Sequence, residues 1–196
     1  MRVSALLFGL LLAAFSLNQT PAVAGQNGAG WVNLFDGKSL DQFVTTGNAN
    51  WRVTDGVIEA DMPRGYLVSK GSYTDFELRA DVWVRPESNA GIMFRITDVK
   101  DPGIQNAYEL NINDQRKDQA GRTGSIVNVS KPLVQYDSGN KWTTVELTVR
   151  GPKFTARMNG TLVAEATDAK YARGPIAIQA AGGLVRYRNI QIRELR

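Results

Sequence analysis

Apolar and polar residues alternate one for one along several segments of the chain. Across 76–84, Phe76, Leu78, Ala80, Val82 and Val84 fall on one side and Glu77, Arg79, Asp81 and Trp83 on the other. The same period of two runs through 92–97, 107–113 and 142–150. It puts successive side chains on opposite faces of an extended strand, the signature of half-buried β-structure. Shorter runs at 31–35, 51–53, 57–60, 66–69, 125–129, 154–158, 162–166, 176–180 and 185–192 read as further strands. Turn chemistry separates them. Asp55-Gly56 and Asn159-Gly160 supply the positive φ of tight hairpins, and Gly182-Gly183 divides the last two strands. Beyond residue 24 no window carries a helical period for more than about ten residues. Short strands with regular turns predict an all-β fold of antiparallel sheets, a sandwich or barrel.

The N-terminal segment breaks this pattern. Met1-Arg2 precedes an apolar run over 5–17, and Ala22-Val23-Ala24 follows. A positive start, a short apolar core and an A-x-A exit predict a signal peptide at 1–24, cut after Ala24. A retained N-terminal anchor is the competing reading, but the run is short for a membrane span. The expectation is a periplasmic or secreted protein with no stable membrane insertion after cleavage. Residues 25–196 then form one domain of ordinary size.

Composition narrows the chemistry. The formal charge is +4, with Lys and Arg in ones and twos and no basic run, so nothing predicts nucleic acid binding. The chain has no Cys, so neither disulfides nor a lipidated cysteine can support it. It has no His, which excludes an imidazole base, a Ser-His triad and, with Cys absent, the usual zinc sites.

Candidate chemistry lies on Tyr108-Glu109-Leu110-Asn111-Ile112-Asn113. Tyr108, Leu110 and Ile112 share one face; Glu109, Asn111 and Asn113 share the other. Glu109 is the leading candidate for a general base or hydroxyl acceptor, against cross-strand pairing with Arg79 or Arg95. Arg95 ends the preceding strand as a donor fork for hydroxyls or an oxyanion, against a solvated or ion-paired arginine. Asn111, Asn113 and Gln179 suit hydroxyl recognition or plain polar surface. Trp83 is a candidate sugar platform, with Glu77 and Arg79 in the same parity as candidate substrate-binding residues, while Trp31, Trp51 and Trp142 read as core anchors. Asp114 has the wrong parity for this face unless a bulge intervenes. The acidic positions Asp98, Asp101, Asp114 and Asp118 could offer oxygen ligands to Ca²⁺, but they match no defined loop and read better as solvated carboxylates.

An ordered set of motifs resembles the 3-keto-disaccharide hydrolase domain family over nearly all of 25–196. It comprises Trp31-Val32-Asn33-Leu34-Phe35-Asp36-Gly37, Trp51-Arg52-Val53-Thr54-Asp55-Gly56, Asn89-Ala90-Gly91-Ile92-Met93-Phe94-Arg95, Tyr108-Glu109-Leu110-Asn111-Ile112, Thr123-Gly124-Ser125-Ile126 and Arg188-Asn189-Ile190-Gln191-Ile192. The resemblance implies a concanavalin-like jelly-roll sandwich with a concave ligand face, and action on sugars oxidised at C3. A ketone at C3 acidifies the C2 proton, so a base can start elimination of the C1 substituent, and water can then add. Glu109 as base and Arg95 as enolate stabiliser, with a possible divalent metal, are the expected parts. Two other readings stand beside it: a non-catalytic carbohydrate-binding module, and an adaptor whose sheet face meets protein. A two-carboxylate glycosidase, which needs acids about 5–5.5 Å apart when retaining, is disfavoured because Asn111 stands where a middle acid belongs.

Overall fold

A computed structural model of the chain describes residues 30–196; the leader predicted at 1–24 lies outside the described residues. The strands are β1 (Val32–Asn33), β2 (Phe43–Gly47), β3 (Arg52–Thr54), β4 (Val57–Ala60), β5 (Gly65–Ser69), β6 (Phe76–Val84), β7 (Asn89–Phe94), β8 (Tyr108–Ile112), β9 (Trp142–Arg150), β10 (Lys153–Met158), β11 (Thr161–Thr167), β12 (Ala177–Gly182) and β13 (Val185–Glu194). One 3₁₀ turn, Gln119–Gly121, is capped by Asp118, whose side chain accepts from the Ala120 amide. Among the described residues no helix is long and apolar enough to cross a membrane.

Two antiparallel sheets result. The larger runs β11-β10-β9-β6-β13-β4-β3, with β1 added on β13. The smaller runs β2-β5-β12-β7-β8. Together they form the jelly-roll sandwich that the periodicity and the resemblance predict. The alternation explains the core. Phe76, Leu78, Ala80, Val82 and Val84 of β6 face the interior, as do Val145, Leu147 and Val149 of β9. From the smaller sheet come Ala90, Ile92, Phe94, Tyr108, Leu110, Ile112 and Ile178. Each large side chain so buried contributes about 1.5–3 kcal/mol, and with no Cys this packing must hold the fold by itself. Phe94, Tyr108 and Phe154 meet at centroid distances of 4.6–5.2 Å, a tilted and edge-on cluster favoured by the ring quadrupoles.

The structure departs from the sequence reading in four places. The edge strand β2 was not expected, because its residues give no alternating signal and Val44 is exposed. Residues 125–129 are not a full strand: Ile126 makes isolated bridges to Leu110 and Ser130. Trp31 and Trp142 are not core anchors. They lie half-buried on the outer side of the larger sheet, Trp31 beside the guanidiniums of Arg79 and Arg193 and Trp142 beneath that of Arg188. Finally, β5 and β8 are buried at every position, so the smaller sheet is covered on its outer face as well as its inner one.

Candidate active site

The outer face of the smaller sheet carries two rows of side chains, set by register. In one row Tyr66 pairs with Gln179, Gln179 with Gly91 and Gly91 with Asn111. In the next, Val68 pairs with Ala177, Ala177 with Met93 and Met93 with Glu109. The second row is apolar apart from Glu109. Val68, Met93 and Ala177 pack there with Tyr66, Ile96 and Ala107 in a small cluster apart from the main core. Beside that cluster opens a cleft of about 240 Å³. Glu109, Asn111 and Gln179 form its floor; Arg64, Asn89, Gln105 and Arg116 stand around it. The three floor residues are 6, 3 and 2% exposed, so these polar groups sit deep and not on an open face.

Glu109 leans over Gly91. A Cβ placed on Gly91 would lie 2.7 Å from Glu109 Oε1 and 3.3 Å from its Cγ. Glycine in a strand interior often marks such a close approach, and here it makes room for the carboxyl. Burial pushes the Glu109 pKa above its ordinary value of 4.5, outweighing the opposing pull of Arg64, a hydrogen bond from Gln179 and Arg116. Desolvation disfavours the charged form, so Glu109 holds its proton more tightly than a surface glutamate.

Gln179 joins the row together. Its Nε2 donates toward Tyr66 Oη at 3.5 Å and the side chain donates to Glu109, while Oε1 has no partner among the described residues. A buried amide oxygen without a donor costs about 1–3 kcal/mol. From the core side, Tyr187 Oη donates to the Gln179 carbonyl at 2.6 Å. Asn111 is anchored in turn, its Nδ2 donating to the Gly121 carbonyl.

Two guanidiniums flank the floor. Arg64 precedes β5 and donates Nε to Tyr66 Oη at 2.9 Å, with Nη2 donating to the same oxygen. Arg116 follows β8 and lies against Gly121, where a Cβ would fall 2.6 Å from Arg116 Nε. Neither residue belongs to any ion pair among the described residues.

Of the residues expected at the site, Glu109, Asn111 and Gln179 come together and the others do not. Arg95 is the largest displacement. The alternation would put it outward next to Glu109, but β7 ends at Phe94 and Arg95 has φ +53°. That left-handed residue turns the side chain to the other side. The guanidinium lies 2% exposed, with Nε and Nη1 each 3.1 Å from the carbonyls of Thr74 and Tyr171 respectively, Nη2 2.6 Å from Thr74 O, and Asp75 at 3.3 Å. It clamps loops at one end of the sandwich. Trp83, Glu77 and Arg79 belong to the larger sheet, with their side chains on its outer face, because β6 pairs with β9 and β13. Arg186 lies 4.9 Å from the Trp83 ring centroid and takes one face of the ring, Glu77 pairs with Arg193, and Arg79 pairs with Glu146 at 3.3 Å. Asn113 lies one residue past β8, half-buried, its amide donating to Thr123 Oγ1 at 2.8 Å, and does not line the cleft.

Arg64, Asn89, Gln105, Arg116 and Gly91 were not anticipated. Arg64, Gln105 and Arg116 sit outside the strands, where no periodicity points to a face. The glycine at 91, inside an otherwise regular alternation, was the readable signal.

The donor set does not fit a chelated cation. Among the described residues no three Asp, Glu, His or Cys side chains converge, and Glu109 is the one carboxylate lining the cleft. Asp114 is occupied structurally, accepting from Thr123 Oγ1 at 2.5 Å and from the amides of Ser138 and Gly139 at 2.8 Å. Asp98 accepts from the Lys100 amide, and Asp118 caps the 3₁₀ turn.

Solved structures share this fold. A candidate glycosyl hydrolase from Parabacteroides distasonis ATCC 8503 matches with TM-score 0.76 at 17% identity, covering 85% of this chain and 94% of that one. A second from the same strain matches at 0.73 and 25% identity, covering 84% and 99%. The carbohydrate-binding module CBM66 of Bacillus subtilis matches at 0.61 and 16% identity, covering 86% and 98%. No curated protein matches the sequence. A family model matches residues 30–193, and the chain belongs to that family, the 3-keto-alpha-glucoside-1,2-lyase-like domains.

Proposed function

We propose that the cleft on the smaller sheet binds a 3-keto-glycoside and cleaves its glycosidic bond by elimination, with hydration completing a net hydrolysis. The observation that carries this reading is Glu109: a single buried carboxyl with raised proton affinity, set among hydroxyl-recognising amides. Such a group is a stronger base than a solvated carboxylate once ionised.

The steps balance without a second acid. Glu109 takes the C2 proton, and the C–H electrons form the enolate across C2 and C3. Arg64 is the donor for the enolate oxygen, the part expected of Arg95, because its guanidinium lines the cleft and is braced on Tyr66. The enolate collapses to the ketone, a C1–C2 double bond forms, and the C1 oxygen leaves with its bond pair. The Glu109 carboxyl, now protonated, returns the proton to that leaving oxygen. Water addition across the double bond regenerates the sugar. Asn111 and Gln179, the amides that line the cleft, bind ring hydroxyls. The cleft offers one carboxylate and not the pair that a conventional glycosidase uses. The carbohydrate-binding neighbour in the comparisons favours a second reading, a sugar-binding module using the same cleft.

Product analysis on a panel of 3-keto-glycosides decides between them. Release of free sugar from the 3-keto form alone is expected, with Glu109→Gln slower by about 10²-fold or more. Binding of oxidised and unoxidised sugars without release identifies the module, and an unimpaired Glu109→Gln removes Glu109 from the mechanism.

A further inference from the structure

The chemistry above uses Arg64 and leaves Arg116 without a task. Seven arginines, Arg52, Arg79, Arg95, Arg122, Arg186, Arg188 and Arg193, lie within salt-bridge distance of an Asp or Glu, and of those that do not, two converge on the cleft. Arg116 lines the cleft with no such partner, and so does Arg64. Two like charges converging on one recess repel unless something anionic enters, and a cleft lined by one sign of charge concentrates the opposite sign. Glu109, the one carboxylate lining the cleft, sets a single negative charge against the two guanidiniums.

Arg116, though exposed, also has a defined neighbour. It packs on Gly121, where any Cβ would collide with its Nε and Cζ at 2.6 and 3.0 Å. The carbonyl of that same Gly121 holds Asn111 of the cleft floor. The residue that recognises hydroxyls and the one that carries positive charge are therefore positioned by one glycine. Alongside them, Gln179 Oε1 is fully buried and has no partner among the described residues.

We propose that the preferred ligand is a saccharide bearing a carboxylate, a uronate-type residue, with Arg116 pairing the carboxylate while the amides bind neighbouring hydroxyls. A guanidinium fork matches a carboxylate with two parallel hydrogen bonds. This rests on the cleft being the sugar site.

Calorimetric titration of the full chain with methyl α-glucuronide and methyl α-glucoside tests it, together with turnover of the 3-keto form of each. The uronate is expected to bind about tenfold more tightly at low ionic strength, with the margin shrinking as salt screens it. Arg116→Gln removes the fork. Gly121→Ala keeps the charge but unseats it. Both should bring the uronate-to-glucoside ratio to within about twofold of one. Equal binding of the two sugars by the parent protein overturns the inference and leaves the sugar site standing. A uronate preference that survives both variants overturns the assignment to Arg116. If neither sugar binds and neither 3-keto form is turned over, the reading of the cleft as a sugar site fails, and this inference with it.

Discussion

At the scale of single residues, Glu109 carries opposed demands. Burial raises its pKa above 4.5, so the native state holds this proton more tightly than the unfolded chain does. Its contribution to stability is thus greatest at low pH and is lost as pH rises through the raised value. Activity runs the other way, because the base must be ionised. We expect kcat/KM to climb with pH over the interval in which Glu109 titrates. Glu109→Gln should melt higher than the parent at pH 7–8, with the difference closing near pH 4, as thermal unfolding across a pH series would show. Arg95 is the contrasting case, a residue expected at the site that serves the fold. Arg95→Met leaves the carbonyls of Thr74 and Tyr171 without their donor, which should cost about 3 kcal/mol in denaturant unfolding. The surviving folded protein should keep the KM of the parent, and a large KM change would return Arg95 to the binding site.

At the scale of elements, the site depends on the pairing of β7 with β8 and of β7 with β12. The register brings Gly91 between Gln179 and Asn111, and Glu109 fills the space above it. Gly91→Ala tests that arrangement. Its methyl would displace the carboxyl, lowering kcat by about tenfold or more. Overpacking should lower stability by about 1–2 kcal/mol, so melting and turnover measured on one preparation separate the two effects. A fall in stability with unchanged kcat would show that the carboxyl does not need its place over Gly91. The alternation predicted β8 as a half-buried strand, and its inner face is as expected. Its outer face is buried too, because loops cover the smaller sheet. That cover makes Glu109, Asn111 and Gln179 deep polar groups.

At the scale of the molecule, the two outer faces differ in how they treat charge. The larger sheet pairs several of its arginines across strands, as in Arg188 with Asp81 at 3.2 Å and Arg186 with Glu59 at 2.5 Å, and three of its tryptophans lie beside guanidiniums. The cleft on the smaller sheet instead gathers two guanidiniums with no carboxylate within salt-bridge distance among the described residues. The leader predicted at 1–24 is a proposal of the same scale: protein exported from its own start codon should begin at Gly25, which N-terminal sequencing or intact mass would show. A retained Met1 would replace cleavage with an anchor.

Sequence alone determined the fold class, the positions of most strands and the inward faces of β6, β8 and β9, because a period of two is local and burial follows it. It also determined the absence of imidazole and thiol chemistry, which is a matter of composition. It located Glu109, Asn111 and Gln179, since their outward parity within regular strands survives folding. Only the tertiary structure decided which sheet each outward face belongs to, and this separated Trp83, Glu77 and Arg79 from Glu109. It alone showed the left-handed turn at Arg95 that breaks the alternation one residue after the strand ends. It alone brought Arg64 and Arg116 from distant loops to one cleft, for loops carry no period and their meeting is set by the register of strands far apart in the chain.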